Sequence, residues 1–218
     1  PYGRDVYKLH AVPRDKLRIE VRENLGIPEK DTVAVCVTRI EPIKGVGELF
    51  DAFAQIAAQV PRGHVVVVGD VSPNNREAEE FARAIFAKHE KLPETVRKRF
   101  HFLGYIPDCI PQICAADFYV LPSYEECMSL AMLDAAILGL PILGTNAGGT
   151  PSVARPEETG WLVPARDSSA LAQKLLQAFQ CNEETRGVLS QNAAALGAGL
   201  EQSAVFRKIW DNYSAAAE

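Results

Sequence analysis

The chain has 218 residues, of which 47% are hydrophobic, and it carries a formal net charge of −5 at pH 7. This length and apolar fraction are typical of one globular domain, or at most one and a half. The acidic balance argues against a nucleic-acid surface, which is expected to be basic. No apolar run approaches the roughly 20 residues needed to span a bilayer. The chain opens on Pro1 and shows no signal-peptide pattern, so we expect a fragment.

In chain order, the hydrophobic periodicity and the turn residues predict an alternation of helices and strands. We expect a linker with a short helix near 14–25, followed by a strand at 32–40, a helix at 46–60, a strand at 64–68 and a helix at 75–92. The middle of the chain should form a short strand at the start of 100–104, a helix at 110–115, a strand at 118–121 and a helix at 129–138 capped by Gly139. The remainder should form strands at 141–144 and 160–163, a helix at 168–179 capped by Ser168, and helices near 183–196 and 201–216. The sustained alternation predicts an α/β fold with a doubly wound parallel sheet, Rossmann-like, and helices on both faces.

The five cysteines are odd in number and form no C-x-x-C pair, which favours a reduced cytosolic compartment over a disulfide scaffold. Cys36 lies in an apolar run and is expected to be a small buried side chain. Cys109 and Cys114 could form a bridge or bind a metal, but no histidine stands at ligand spacing, so we expect no metal site. The four histidines have no nucleophile partner in a known motif, and we interpret them as structural.

Two cations, Arg39 and Lys44, follow the first predicted strand in the segment TRIEPIKG. The glycine after them, Gly45, lets the backbone turn into the next helix. In a parallel α/β sheet, ligands bind outside the carboxyl ends of the strands and beside helix N-termini. Two cations at that edge would neutralise a diphosphate. Ordinary surface charges on a solvated loop remain the alternative interpretation.

Two carboxylates, Glu126 and Asp134, flank the junction of a loop and a short helix. On one continuous helix they would differ by about 80°, so we expect Glu126 in the loop and Asp134 inside the helix. The backbone N–H groups near 128–131 then face the gap between them and favour an anion. Carboxylates suit hydroxyl groups and a helix start suits phosphate, and a nucleotide sugar offers both. The alternative is a solvated loop residue and a surface helix residue.

Three further loops are weaker candidates for a ligand contact. The glycine-rich segment 144–149 could cradle phosphate, although a tight turn is the commoner use of such a pattern. Gly69 permits the close approach of a ligand, and Asp70 either contacts that ligand or caps a turn. Tyr105 and Ile106 could offer backbone groups to a base edge, or simply end a strand. The absence of a Walker A motif and of a strand-borne G-x-G-x-x-G argues against P-loop and dinucleotide sites.

The order and spacing of these segments resemble the C-terminal, donor-binding domain of the group 1 retaining glycosyltransferases, which have the GT-B fold. The likeness covers nearly the whole chain. It is carried by an E-x7-E-like block at Glu126 and Asp134 and by the segments PYGRD, TRIEPIKG, VVVVGD, FLGYI, AADFYVLPS, GGTP, GWLVPARDSSALA and FRKIWDNY. The resemblance implies an interdomain linker and leading helix at 1–31, a nucleotide-sugar-binding domain at 32–200 and a C-terminal helix at 201–218.

The resemblance also implies roles for single residues. Arg39 and Lys44 match the basic pair that holds the donor diphosphate. Glu126 matches the acidic residue that contacts the donor sugar, and Asp134 matches the one that binds the ribose hydroxyls. The backbone at Ser129 and Leu130 matches the phosphate-contacting helix start. The remaining donor-binding candidates are Met128, Gly69, Asp70, Tyr105 and Ile106.

The chain departs from the family pattern at three places. It has Asp134 where the family usually has Glu, Cys127-Met128-Ser129 where the family has Gly-Phe-Gly, and Ser152 where the family often has Glu. An aspartate is one methylene shorter than a glutamate, and a serine at 129 restricts the loop more than a glycine. We expect these changes to leave the fold intact and to act on donor affinity.

The expected function is transfer of a sugar from a nucleoside-diphosphate sugar to an acceptor with retained anomeric configuration. Cations and a helix start stabilise the leaving diphosphate, so neither a metal nor another cofactor is expected. The family's acceptor domain precedes this one and is missing from the fragment, which should therefore bind donor weakly and turn over poorly. The expected location is the cytoplasm. Many members act on lipid-linked acceptors, which leaves a peripheral contact with the inner face of the membrane open for the full-length protein.

Two other functions fit the same residues. A nucleotide-sugar 2-epimerase of the GT-B type would share the phosphate site and act on the donor alone. A catalytically diverged GT-B domain would act as a binding or assembly module, and the changes at Asp134 and Ser129 are its support. The sequence does not reveal the base, the sugar, the acceptor or the oligomeric state.

Overall fold

The computed structural model describes residues 9–199, so the predicted linker segment 1–8 and the predicted helix at 201–216 lie outside the described residues. Six strands form one sheet in the order β3-β2-β1-β4-β5-β6, and every neighbouring pair is parallel. The strands are β1 (Thr32–Val37), β2 (Gly63–Val68), β3 (Phe100–Phe102), β4 (Phe118–Leu121), β5 (Ile142–Thr145) and β6 (Gly160–Val163). The predicted doubly wound parallel sheet is therefore confirmed.

Eight α-helices are described before, between and after these strands. They are α1 (Arg14–Leu25), α2 (Val46–Ile56), α3 (Arg76–Glu90), α4 (Glu94–Arg97), α5 (Ile110–Ala115), α6 (Leu130–Ile137), α7 (Ser168–Phe179) and α8 (Glu183–Ala198). Two short 3-10 helices, Pro42–Lys44 and Thr150–Ser152, follow β1 and β5. No helix among residues 9–199 is both long and apolar enough to cross a membrane.

Most predicted elements lie within a few residues of their predicted bounds, and two differences have a clear cause. The one-turn helix α4 was not predicted, because four residues are too short for a periodic apolar pattern. The cap of α7 is Asp167 and not Ser168: the Asp167 carboxylate accepts a hydrogen bond from the N–H of Ala170 at 2.8 Å. The C-terminal glycine of α6 was predicted correctly, since Gly139 adopts a left-handed φ of 72°.

The core consists of two apolar layers, one on each face of the sheet. Successive strand residues alternate between the layers, so Ala34 and Cys36 face α2 and α7, whereas Val33 and Val35 face α5 and α6. Both faces are covered, which explains why the strands appear in the sequence as nearly continuous apolar runs. Burial raises the pKa of the Cys36 thiol to about 12, as expected for a packed side chain. No disulfide joins the cysteines of residues 9–199.

The leading helix α1 is fixed to the sheet by arginines. Arg22 is 3% exposed and donates to the carbonyl of Ala115 at 2.9 Å and to the Asp117 carboxylate at 2.9 Å. Arg18 donates to the same carboxylate at 2.8 Å. Asp117 also accepts from the N–H of Val33 at 2.7 Å, so one carboxylate connects α1, β1 and the start of β4. The helix is thus part of the folded domain.

Two histidines, the buried His64 at the amino end of β2 and the partly buried His101 in β3, form a pair. The Nδ1 of His64 lies 3.3 Å from the Nε2 of His101, the rings stack, and the Nε2 of His64 lies 3.1 Å from Asp31. Burial is the main cause that lowers the pKa of each histidine. For His101 the charge of His64 lowers the pKa further, so that it falls in all from 6.5 to about 4. The pair is therefore neutral at pH 7.

Acid is expected to destabilise the fold through this pair. Because the pKa of His101 is lower in the folded chain than in the unfolded chain, the unfolded chain takes up the proton first as the pH falls. The stability that the neutral ring contributes is therefore complete above pH 6.5 and is lost as the pH falls toward 4. The contribution is on the order of 3 kcal/mol at most. His101→Gln should flatten the dependence of the unfolding free energy on pH between these values in urea titrations. The exposed His10→Gln control should keep it, and an unchanged slope in His101→Gln would contradict the prediction.

Candidate functional site

The candidate site lies at the carboxyl edge of the sheet, where the strand order reverses between β1 and β4. The loops after these two strands diverge to opposite faces of the sheet, and this arrangement opens a crevice at the edge. The backbone N–H of Tyr124, after β4, donates to the carbonyl of Ile43, after β1, at 2.8 Å. Gly45, with φ of 68°, packs directly against the Pro122 carbonyl, so a side chain at this position would collide with the backbone.

Lys44 and Glu126 meet in this crevice. The Nζ of Lys44 lies 3.0 Å from the Oε2 of Glu126, and each side chain is only 14% exposed. The two residues are 82 positions apart in the chain, so the sheet topology alone brings them together. Glu126 is therefore a partly buried member of an ion pair, and the alternative interpretation as a solvated loop residue is wrong.

Arg39 lies apart from this ion pair and has its own acidic partner. Its Nη1 lies 3.0 Å from the carboxylate of Glu41 and 3.0 Å from the Oγ of Ser72, while its side chain is 60% exposed. Ser72 also donates a hydrogen bond to Glu41, which is buried. The sequence analysis missed Glu41 and Ser72; the two-residue spacing of Glu41 from Arg39 was the available signal. The two predicted cations are thus held by different carboxylates.

A cavity of about 510 Å³ opens beside Arg39, at the ends of β1 and β2. It brings together the predicted residues Arg39, Gly69, Asp70, Tyr105 and Ile106, together with Val37, Thr38, Val68, Val71, Ser72 and Pro73. Tyr105 is 73% exposed at the cavity rim. Most of the lining surface is apolar, as is usual for small-molecule sites.

Gly69 and Asp70 both have a local structural role. Gly69 has φ of 140°, and a Cβ there would lie 1.8 Å from the Thr38 carbonyl oxygen. The close approach of the backbone at the end of β1 therefore requires glycine here. Gly69 also lines the cavity. The Asp70 carboxylate accepts a hydrogen bond from the N–H of the next residue, Val71, at 2.7 Å.

The start of α6 forms the other side of the crevice. The Ser129 hydroxyl caps the helix by accepting from the N–H of Met132 at 3.2 Å. Its backbone angles, φ −78° and ψ 118°, are ordinary for any residue, so serine fits without strain where the family has glycine. The N–H groups of Leu130 and Ala131 lie in the first turn of α6, where a helix offers them no backbone acceptor of its own. Met128 precedes them and is half-buried.

Asp134 lies inside α6 and is 4% exposed. The alternative interpretation as a surface helix residue is therefore wrong. Tyr119, which the sequence analysis missed, connects this helix to β1: its hydroxyl donates to the Val37 carbonyl at 3.1 Å and is hydrogen-bonded to Ser129. Burial raises the pKa of Tyr119 well above its ordinary value, so the hydroxyl stays protonated. Its position between β1 and α6 places it between the cavity and the helix start.

The glycine-rich turn after β5 supports the Glu126 loop. The N–H of Gly149 lies 3.1 Å from the carbonyls of both Glu126 and Cys127. Gly148, with φ of 51°, lies so close to the Glu126 carbonyl that a Cβ there would be 1.5 Å from its oxygen. The close-packed turn is thus the role that the geometry shows. Among residues 9–199, no group of three His, Cys, Asp or Glu side chains is placed to hold a metal ion.

The sequence and the fold both match known proteins. A family model described as glycosyl transferases group 1 matches residues 31–181. The chain belongs to this family. A D-inositol 3-phosphate glycosyltransferase of Corynebacterium efficiens is 27% identical over 98% of this chain and 50% of its own length. An N-acetyl-alpha-D-glucosaminyl L-malate synthase of Bacillus anthracis is 25% identical over 78% of this chain and 42% of its own.

Two solved structures show the same fold. Anabaena Alr3699/HepE, solved in complex with UDP and glucose, superposes with a TM-score of 0.83 at 22% identity and covers 97% of this chain and 55% of its own. The C-terminal domain of the group 1 protein LpcC from Francisella tularensis superposes with a TM-score of 0.73 at 24% identity, over 89% of this chain and 96% of its own. This group 1 glycosyltransferase chain therefore spans about half the length of the curated relatives it matches and has the fold of a GT-B C-terminal half.

The helix cap at the site is expected to depend on the Ser129 hydroxyl. Ser129→Ala should lower the free energy of unfolding by about 1 kcal/mol, whereas Ser129→Gly should cost only a few tenths, because glycine is itself tolerated as a cap. Urea unfolding of the two variants measures the difference. Ser168→Ala is the matched control, since Asp167 caps α7, and it should change little. Equal costs for Ser129→Ala and Ser168→Ala would show that the Ser129 cap contributes nothing.

Proposed function

We propose that this chain is the donor-binding half of a retaining glycosyltransferase, which moves a sugar from a nucleoside-diphosphate sugar to an acceptor. The observation that carries the proposal is the pair of Lys44 and Glu126, held 3.0 Å apart at the reversal of strand order. A cation suited to phosphate and a carboxylate suited to sugar hydroxyls meet there, at the sheet edge that also holds the start of α6 and a cavity of about 510 Å³. A nucleotide sugar carries the matching groups in one molecule.

In the proposed reaction, the bond between the anomeric carbon and the diphosphate oxygen breaks, and a bond to an acceptor oxygen forms. The negative charge that develops on the diphosphate is stabilised by Lys44, by Arg39 and by the N–H groups at the start of α6. All three follow β1 or β4 at the carboxyl edge of the sheet. No metal ion is needed for this stabilisation.

The Lys44–Glu126 contact makes donor binding an exchange of partners. In the structure the Lys44 ammonium donates a hydrogen bond to the Glu126 carboxylate. A diphosphate oxygen would replace the carboxylate on Lys44, and Glu126 would then accept hydrogen bonds from sugar hydroxyls. Because both charges are already mostly removed from water, this exchange costs less desolvation than the binding of two solvated groups.

The nucleoside is proposed to occupy the cavity beside Arg39. Backbone groups near Tyr105 and Ile106 line one wall, where they would contact the base. Asp134 is proposed to receive the ribose hydroxyls from its buried position in α6. The solved relative that contains UDP and glucose supports a nucleotide of this kind but does not fix the base for this chain.

The acceptor side of the reaction is proposed to come from residues outside this chain. The chain spans about half of its curated relatives, which leaves room for an acceptor domain in the whole protein. The 218 residues by themselves should therefore bind donor weakly and turn over slowly. A cytoplasmic location, at the inner face of the membrane where the acceptor is lipid-linked, belongs to the same proposal.

Donor binding should appear as thermal stabilisation of the chain by a nucleoside diphosphate. UDP, GDP and ADP are titrated separately, and at a hundred times its dissociation constant the right nucleotide adds about 2.7 kcal/mol. For a chain of this size the melting temperature then rises by roughly 5–10 °C. Lys44→Ala should weaken that nucleotide about 10- to 100-fold, since it removes a charge-assisted phosphate contact.

Lys88→Ala is the matched control for this titration. Lys88 also forms a 3.0 Å ion pair, with Asp51, but on the exposed surface between α2 and α3. It should leave the nucleotide response unchanged. The absence of a response of the unchanged chain to all three nucleotides would favour the diverged binding module over the transferase.

Glu126→Gln separates the two proposed halves of the donor contact. The variant frees Lys44 from its carboxylate, so affinity for the nucleoside diphosphate should rise about two- to fivefold, as a partly exposed pair worth 0.5–1 kcal/mol implies. Affinity for the matching nucleotide sugar should not rise with it, because the sugar hydroxyls lose a charged acceptor. Isothermal calorimetry with both ligands measures the two constants, and a parallel change in both would argue against a sugar contact at Glu126.

A further inference from the structure

Behind the loop that carries Glu126 lies a set of three side chains that the proposed function does not use. Tyr124 precedes Glu126 by two residues, Glu48 lies in the first turn of α2, and Arg166 lies in the loop between β6 and α7. The three residues follow β4, β1 and β6 respectively, so they surround the same sheet edge. We call them the Tyr124 cluster.

Arg166 has an unusual backbone conformation. Its φ is 63°, in the left-handed region that glycine and asparagine adopt far more readily than arginine. Such a conformation persists where a surrounding contact compensates for it. The contact here is a cation–π interaction: the guanidinium carbon of Arg166 lies 4.9 Å from the centroid of the Tyr124 ring.

The other end of Tyr124 faces Glu48. Burial, followed by the hydrogen bond and the charge of Glu48, raises the pKa of the Tyr124 hydroxyl, which therefore stays protonated and donates to the carboxylate. The Oε2 of Glu48 is buried and finds no hydrogen-bond partner among residues 9–199. A carboxylate with one buried, unsatisfied oxygen depends strongly on the donor that remains to the other oxygen. The tyrosine is thus held at its ring by a cation and at its hydroxyl by an anion.

The backbone of Tyr124 transmits this position to the candidate site. Its N–H donates to the Ile43 carbonyl at 2.8 Å, and Ile43 is the neighbour of Lys44. Two residues further on, Glu126 forms its ion pair with Lys44. A shift of Tyr124 would therefore change the position of Glu126 relative to Lys44.

We propose that Tyr124 and Arg166 are positioning residues that hold Glu126 in place for the donor sugar, with Glu48 as the anchor of the tyrosine hydroxyl. The sugar assignment rests on the proposed function, whereas the support of the loop does not. Neither side chain contacts the reacting atoms. They act by keeping the Glu126 loop ordered before the donor arrives, which lowers the entropy cost of binding.

Arg166→Asn tests the proposal without straining the backbone. Asparagine tolerates the left-handed conformation but cannot form the cation–π contact. Glu157→Asn is the matched control, because Glu157 has φ of 62° and lies in the turn before β6, away from the crevice. Arg166→Lys keeps a cation over the ring and is the conservative rescue.

Two measurements are made on each variant of the 218-residue chain. Hydrogen exchange reports the backbone N–H of Tyr124 and of Gly149, which donate to Ile43 and to the Glu126 loop. Calorimetry reports the affinities for UDP-glucose, GDP-mannose and ADP-glucose and for their nucleoside diphosphates. Arg166→Asn should speed exchange at both sites about two- to fivefold and weaken the bound nucleotide sugar by a similar factor. The nucleoside diphosphate should weaken less, and the melting temperature should not fall.

The outcomes separate this proposal from the proposed function. The positioning role would be overturned if Arg166→Asn gave the same exchange rates and affinities as the Glu157→Asn control. It would also be overturned if Arg166→Lys failed to restore the exchange rates and affinities of the unchanged chain. A fall in melting temperature that accounts for the faster exchange would overturn it as well, because the contact would then only stabilise the fold. Faster loop exchange in Arg166→Asn, with no nucleotide sugar bound by the unchanged chain, would keep the loop support and reject the donor site.

Discussion

The reversal of strand order between β1 and β4 is the constraint on which the candidate site depends. Because β2 and β3 extend from one side of β1 and β5 and β6 from the other side of β4, the loops after the two central strands leave in opposite directions. The crevice between them is the place where Lys44 and Glu126 meet at 3.0 Å. Without the reversal, helices would cover that edge and the two loops would not form a site.

Close backbone contacts make the crevice narrow. Gly45 lies against the carbonyl of Pro122, and Gly148 lies against the carbonyl of Glu126, both with left-handed φ. A Cβ atom would lie 2.0 Å from the Pro122 oxygen at Gly45 and 1.5 Å from the Glu126 oxygen at Gly148. A side chain at either position would therefore push the two loops apart. The glycines of TRIEPIKG and GTNAGG therefore act on the candidate site through the distance between loops.

Two of the three cations at this edge are each paired with an acid, and the third packs over an aromatic ring. Lys44 is paired with Glu126, Arg39 with Glu41, and Arg166 faces the ring of Tyr124, whose hydroxyl faces an acid in turn. Pairing these charges avoids the cost of burying an unpaired charge. It also means that an anionic ligand must compete with carboxylates of the chain itself, which favours ligands that offer hydroxyl groups to the displaced acid.

The sequence alone determined the fold class and most of the elements, because the apolar periodicity of buried strands and amphipathic helices depends on local spacing. It also indicated the loops of the site, through cations, carboxylates and glycines after strands. Only the tertiary structure decided that Lys44 contacts Glu126 while Arg39 contacts Glu41, and that Asp134 is buried. Those outcomes depend on contacts between residues up to 82 positions apart. The topology of the sheet determines such contacts, and the local spacing of residues in the sequence contains no information about them.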